Sequence, residues 1–209
     1  MLGINDLWLF AISGLLLNMT PGADLIYLID RSIHQGVRYG IAAGLGASLG
    51  CVVHICLAVL GLSAIMTSSE LVFSVVKYLG AAYLAYLGLS LLLSKGVGNS
   101  ANHLNLKSRG FLAVLLKAAI INILNPKVAV FFLAFFPQFV DTNSSNAALA
   151  FLFLGAIFVF NATLWNVIVA WSAGSLAGRF EPSSIIGGVL KKLTALVFIG
   201  LGVRLVLSI

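Results

Sequence analysis

Asn18-Met19-Thr20-Pro21-Gly22-Ala23-Asp24 and Asn122-Ile123-Leu124-Asn125-Pro126-Lys127 are the two stretches that decide how this chain is read. Each lies inside a long apolar run and puts a proline where a helix should continue. A proline within a helix removes one backbone hydrogen bond, and its ring clashes with the carbonyl four residues back. Those carbonyls belong to Leu17 and Asn122. Both helices are therefore expected to break, with Thr20 and Asn125 as N-caps and Pro21 and Pro126 opening the next half-helix. Each break then turns unpaired amides and a partial positive charge toward the interruption. In hydrocarbon, unpaired backbone groups persist only beside protein or a water-filled cavity. A simple packing kink would not need the Asn and Thr residues around both prolines.

The rest of the chain supplies the setting. Of its 209 residues, 61% are hydrophobic and 9% charged, with a mean hydropathy of +1.11, whereas soluble domains carry about 25% charged residues. Six apolar segments stand out, at 7–29, 39–66, 71–93, 110–138, 147–172 and 187–208. The expected fold is an all-α membrane protein, a single transmembrane domain over 1–209 with no separate soluble domain. The net charge of +6 does not indicate nucleic-acid binding, because the bases sit between apolar runs rather than on one wet face. Arg31 and Arg38 lie in the first linker, Lys95, Lys107 and Arg109 in or beside the third, and Arg179 in the fifth, with Lys191 and Lys192 just beyond. The second and fourth linkers hold Glu70 and Asp141 and no Lys or Arg. By the positive-inside rule the odd linkers are cytoplasmic and both termini face outward. Met1 to Asp6 has no basic n-region, so the first helix is expected to be retained rather than cleaved as a signal peptide.

Dividing the chain at the cytoplasmic linker 95–108 leaves three helices in repeat A (1–94) and three in repeat B (109–209). An odd number per half forces opposite orientations, which is the arithmetic of an inverted repeat. The two proline segments then fall on the first helix of each repeat, helices 1 and 4, and their symmetric placement implies one shared cavity.

Asp24 sits three residues after Pro21, well inside the apolar run. A carboxylate at the bilayer centre costs about 2.5–3.5 kcal/mol on insertion scales, so it needs compensation. The helix start helps, and Lys127 is its natural partner if the breaks meet. The competing reading is an Asp24–Lys127 pair that only locks the halves together. Asn18, Thr20, Gly22, Asn122 and Asn125 complete the candidate binding set, and His54 joins Asp24 as a candidate for proton coupling. Asn161, Thr163 and Asn166 are intramembrane polar groups of the kind that hydrogen-bond between helices, and Lys77 and Lys117 are long enough to snorkel. Cys51 and Cys56, five apart, match no metal or disulfide pattern and read as packing residues. No metal or cofactor is called for.

Gly46-Ala47-Ser48-Leu49-Gly50 matches GxSxG, with His54 nearby. That motif belongs on a strand-turn-helix elbow, not within a helix. A helical spacing of six also sets Ser48 and His54 about 120° apart. An intramembrane serine hydrolase is thus disfavoured. Gly40, Gly44, Gly46 and Gly50 instead form GxxxG steps, a close-packing surface that is compatible with a homodimer.

On these residues the chain resembles the LysE/RhtB family of amino-acid exporters nearly end to end. The matching pieces are TPGAD (20–24), Gly36 and Gly40 leading to His54, GAAYLAYLG (80–88), NILNPK (122–127) and FPQFV (136–140). The resemblance implies a bacterial inner-membrane protein that expels amino acids in exchange for protons, and it carries a transport role onto Pro21, Gly22, Asp24, Asn125, Pro126 and Lys127. Ala23 departs from the family's usual second proline. Ala23-Asp24, in place of the Gln-Asn of lysine and arginine exporters, leans toward homoserine, threonine or another neutral amino acid.

The expectation is thus a proton-coupled antiporter of small neutral amino acids, its two halves alternating in access. Break amides would hold the substrate carboxylate, and Asp24 would hold either the substrate ammonium or a proton. Lys127 would keep Asp24 ionised or bind the carboxylate itself. Export of a metal ion or an inorganic anion is the alternative. It is less favoured because the one carboxylate and the one histidine within the membrane lie on different helices, while hard cations take several oxygen ligands.

Overall fold

A computed structural model describes residues 3–68, 70–93, 110–141, 144 and 146–175, together with 192, 195, 196, 199, 200 and 203. The elements are α1 (Leu7–Met19), α2 (Ala23–Gln35), α3 (Val37–Ser68), α4 (Glu70–Leu93), α5 (Phe111–Ile123), α6 (Pro126–Val130) and α7 (Ala147–Ser175). A π-helical turn (Phe131–Phe135) and a 3-10 turn (Phe136–Phe139) extend α6. The third linker, with Lys95, Lys107 and Arg109, lies outside the described residues, as do Arg179, Lys191 and most of the sixth apolar segment.

Among the described residues two helices are long and apolar enough by themselves to cross a membrane, Val37–Gly61 within α3 and Ala147–Ser175. Two further spans result if each bent pair counts as one, α1 with α2 at 56° and α5 with Pro126–Phe139 at 53°. The chain is a mainly helical membrane protein, and both expected breaks occur at their prolines.

The first linker differs from its expected extent of 30–38. Helix α2 continues to Gln35 and α3 begins at Val37, so the connection is Gly36 alone, at φ 92°. A residue with a Cβ would be strained there, and this one glycine allows the chain to turn without a polar loop.

Helix α3 packs against α5, α7 and α2, and its glycines explain how. A Cβ on Gly50 would lie 2.6 Å from Asn122 Oδ1 and 3.0 Å from the Ala119 carbonyl oxygen on α5. On the other side, Cβ atoms on Gly40 and Gly44 would meet Ala170 at 3.0 Å and Asn166 at 2.9 Å on α7. The GxxxG surface is used inside the chain and so supplies no argument for a homodimer. At Gly46 an added Cβ would collide with the Leu115 carbonyl and come within 2.8 Å of Ala118 Cβ. Backbone cannot yield as a side chain can, so Gly46→Ala should destabilise by about 1–3 kcal/mol. A thermal-shift measurement in detergent checks this, and an unchanged midpoint would mean that α3 and α5 stand further apart than described.

The largest core cluster among the described residues is rich in phenylalanine. Phe10 of α1 is fully buried among Phe131, Phe135, Phe136 and Phe139, with ring centroids 5.1 Å from Phe136 and 5.3 Å from Phe139. The start of the chain is tied to the same place. Asn5 N donates to Phe139 O at 2.9 Å, and Asp141 N donates to Gly3 O at 2.7 Å. The first half of one broken helix thereby docks on the second half of the other. A smaller cluster of Tyr27, Leu28, Ala42, Ala43, Val114, Ala118 and Ala170 joins α2, α3, α5 and α7.

Candidate functional site at the paired helix breaks

The second break forms as its residues dictate. The residue before a proline is pushed out of the helical region, and Asn125 is extended, at φ −78° and ψ 108°. Its side-chain oxygen accepts from Lys127 N at 3.0 Å, and its carbonyl accepts from Val128 N and Ala129 N. Asn125 is thus the N-cap and Pro126 opens α6. The cap also corrects one expectation. The first amides of α6 are engaged by Asn125 itself and do not stand open for a ligand.

The first break differs from its expected form. Thr20 is not an N-cap but the C-cap of α1, and its hydroxyl donates back to Leu16 O at 2.8 Å. The N-cap of α2 is Gly22, which has no side chain to offer, so Pro21 precedes the half-helix rather than opening it. Gly22 is there for space. A Cβ on it would lie 2.7 Å from Asp24 Oδ1, 3.0 Å from Lys127 Nζ and 3.4 Å from Asn125 Nδ2. Three polar groups from both breaks therefore converge on one bare backbone position.

Their hydrogen bonds cross between the halves. Asp24, in the first turn of α2, accepts from Asn122 Nδ2 at 3.0 Å and from Asn125 Nδ2 at 3.3 Å. Lys127 Nζ donates to Leu17 O at 3.2 Å and to Thr20 O at 3.0 Å. Among the described residues no direct ion pair joins Asp24 to Lys127. The acid instead lies at the positive start of α2, and the ammonium caps the negative end of α1, each the favourable placement for its sign.

The two carbonyls released by proline are both capped by cationic or ionisable side chains. Lys127 takes that of Leu17. His54, buried in α3 and stacked on Phe132 with centroids 5.8 Å apart, lies 3.2 Å from the Asn122 carbonyl oxygen. A carbonyl only accepts, so His54 Nε2 carries the hydrogen. Asn122 thus links His54, through its backbone, to Asp24, through its amide. Cys51 Sγ also lies 3.6 Å from Asn122 Oδ1.

These groups surround a cavity lined by Leu17, Asn18, Asp24, Leu25, Ala47, Cys51, Asn122, Lys127, Val128, Ala162 and Asn166. Its open volume is about 10 Å³, room for about one water molecule. Of the candidate site residues named from sequence, Asn18, Asp24, Asn122 and Lys127 reach the cavity, while Thr20, Pro21, Gly22, Asn125, Pro126 and His54 form or brace its frame; Asn166, read from sequence only as an interhelical polar group, also lines it. Among the described residues, Asn18 Nδ2 is buried without a hydrogen-bond partner. Sequence reasoning missed the walls supplied by α3 and α7, namely Ala47, Cys51 and Ala162. The signal was the pairing of Ala47 with Cys51 and of Ala162 with Asn166 at a spacing of four. Ser48 turns away from His54; its hydroxyl meets Gly44 O at 3.1 Å and Thr163 Oγ1 at 2.7 Å, an interhelical bond rather than a nucleophile's setting.

A helical membrane protein whose two broken spans enclose a cavity lined by charged and amide groups is built as a translocator. The chain belongs to the LysE type translocator family, whose profile matches residues 15–209. It is 30% identical over 207 residues to an uncharacterized membrane protein of Pseudomonas aeruginosa, covering 98% of this chain and 96% of that one. It is 25% identical over 203 residues to the leucine efflux protein of Enterobacter sp. (strain 638), covering 97% and 96% of the two chains. It is also 25% identical over 205 residues to the leucine efflux protein of Salmonella typhimurium, covering 97% and 95%. No solved structure matches the chain significantly.

Proposed function

We propose that this translocator exports small neutral amino acids from a bacterial cell, exchanging them for protons across the inner membrane. The observation that carries this reading is the crossed arrangement at the breaks, an acid held by two amides and an ammonium held by two carbonyls around one cavity. A zwitterion is complementary to both. Its ammonium competes with a proton for Asp24, and its carboxylate takes Lys127 together with the first-turn amides of α2, whose N-cap glycine leaves them uncapped by a side chain. A carboxylate that draws Lys127 away releases the Leu17 and Thr20 carbonyls, loosening the end of α1. Cargo binding is thereby coupled to movement of one half against the other. His54 senses the same event through Asn122.

In this reading six spans form two inverted halves, 1–94 and 109–209, joined by a cytoplasmic linker at 95–108, with both termini outside. The family resemblance at Ala23-Asp24 in the first proline segment leans toward threonine- or homoserine-like substrates, and the leucine efflux relatives support an aliphatic one. Both are neutral amino acids. A homodimer would need a surface other than the α3 glycines.

The test is counterflow in liposomes containing the purified protein, with threonine, homoserine, leucine and lysine, each with and without a pH gradient. Exchange of neutral amino acids accelerated by the gradient is the expected result. Exchange of none of them, or movement only of a metal ion or an inorganic anion, would overturn the proposal.

A further inference from the structure

The cavity has two kinds of wall. The broken spans give it the polar Asn18, Asp24, Asn122 and Lys127 with Leu17, Leu25 and Val128 between them, whereas Ala47 and Cys51 of α3 and Ala162 and Asn166 of α7 come from the unbroken ones. Residues four apart on a helix lie on one face, so each unbroken helix turns one short face to the cavity. Ala47, Cys51 and Ala162 are 5%, 3% and 3% exposed and are packed in place rather than free to swing aside. Independently, the Nδ2 atom of half-buried Asn18 in the same cavity is shielded from solvent and has no hydrogen-bond partner among the described residues, a donor awaiting an oxygen that points to a ligand there.

We infer that Ala47, Cys51 and Ala162 form the side-chain pocket of the transport site and select cargo by side-chain size. This rests on the amino-acid export reading above. The polar groups match the ammonium and carboxylate common to all amino acids, and of the remaining apolar lining the α3 and α7 face carries the short side chains that leave room for what differs between them. The three residues are apolar, so a charged cargo side chain would be desolvated against them at high cost. A hydrophobic pocket rejects an added hydroxyl only weakly, so threonine and an aliphatic side chain of similar volume are treated alike. What the wall measures is volume. Short side chains there leave space for cargo as the site opens, and each added carbon removes some of it.

The experiment measures counterflow for alanine, threonine, leucine and phenylalanine at low concentration in liposomes. Ala162→Leu should lower the leucine-to-alanine ratio about tenfold or more. Cys51→Ala, which removes an atom and cannot overpack, should raise the phenylalanine-to-leucine ratio. As a second readout, in a Cys56→Ser background leucine should slow modification of Cys51 by a small methanethiosulfonate reagent. Ratios that do not move in either variant, or labelling that leucine leaves unchanged, would overturn the pocket assignment while leaving export standing. A parent protein that exchanges no amino acid would overturn both.

Discussion

Asp24→Asn is expected to abolish the acceleration of transport by a pH gradient, so that exchange runs at the same rate with and without it. The substitution keeps the side chain's size and one acceptor oxygen for Asn122 and Asn125. It removes the charge and the proton site together. If proton and substrate ammonium compete for this carboxylate, Lys127 does not take over, because it is a donor to the Leu17 and Thr20 carbonyls, and His54 does not meet the ammonium, because its Nε2 is engaged by the Asn122 carbonyl. Reconstituted protein with an imposed gradient gives the measurement, and normal coupling in the variant would remove Asp24 from the mechanism. The variant also leaves the Lys127 ammonium without a compensating charge beside Gly22, which lowers thermal stability. Asp24→Asn/Lys127→Met, neutral again, should regain part of that stability and none of the coupling. Recovery of coupling in the double variant would show that the pair only locks the halves together.

Pro126→Ala carries the other large effect. Proline in a helix interior is disfavoured by about 3 kcal/mol relative to alanine, a bias of roughly 100-fold toward continuing the helix once it is replaced. The new N–H would bond to the Asn122 carbonyl and displace His54. Asn125, freed from its extended conformation, would no longer cap Lys127. With the bend of 53° relaxed, Asn122 and Asn125 would no longer both reach Asp24. Transport should fall by about tenfold to 100-fold while the melting temperature holds or rises. That opposition separates a functional break from a structural one, since loss of a mere packing kink would change stability and leave the transport rate per folded molecule as it was.

Much of the frame was legible in the chain. The prolines name the carbonyls they release, and Leu17 and Asn122 are the ones found with side-chain donors. Asp24 in the first turn of a half-helix and Asn125 as an N-cap also follow from local rules. Local rules failed at Thr20, where a threonine before a proline has the composition of an N-cap but bonds backward to Leu16. Gly22 supplies the turn, and its neighbours from the other half need the room that a side chain would occupy. The linker around Gly36 misled for a similar reason. Its polar residues read as a loop, yet Arg31 is buried, its guanidinium 5.0 Å above the Tyr27 ring and bonded to Gln35.

By itself the sequence determined that this is a helical membrane protein interrupted twice, because hydropathy and proline chemistry act within a few residues along the chain. It also determined which acid and which base stand beside the interruptions. Only the tertiary structure decided that Asp24 and Lys127 serve each other's half rather than pairing directly, that His54 reaches Asp24 by way of Asn122, and that Ala47, Cys51 and Ala162 wall the cavity. Those contacts join residues far apart in the chain, and α3 approaches α5 and α7 closely only because glycines remove the side chains that would hold them apart.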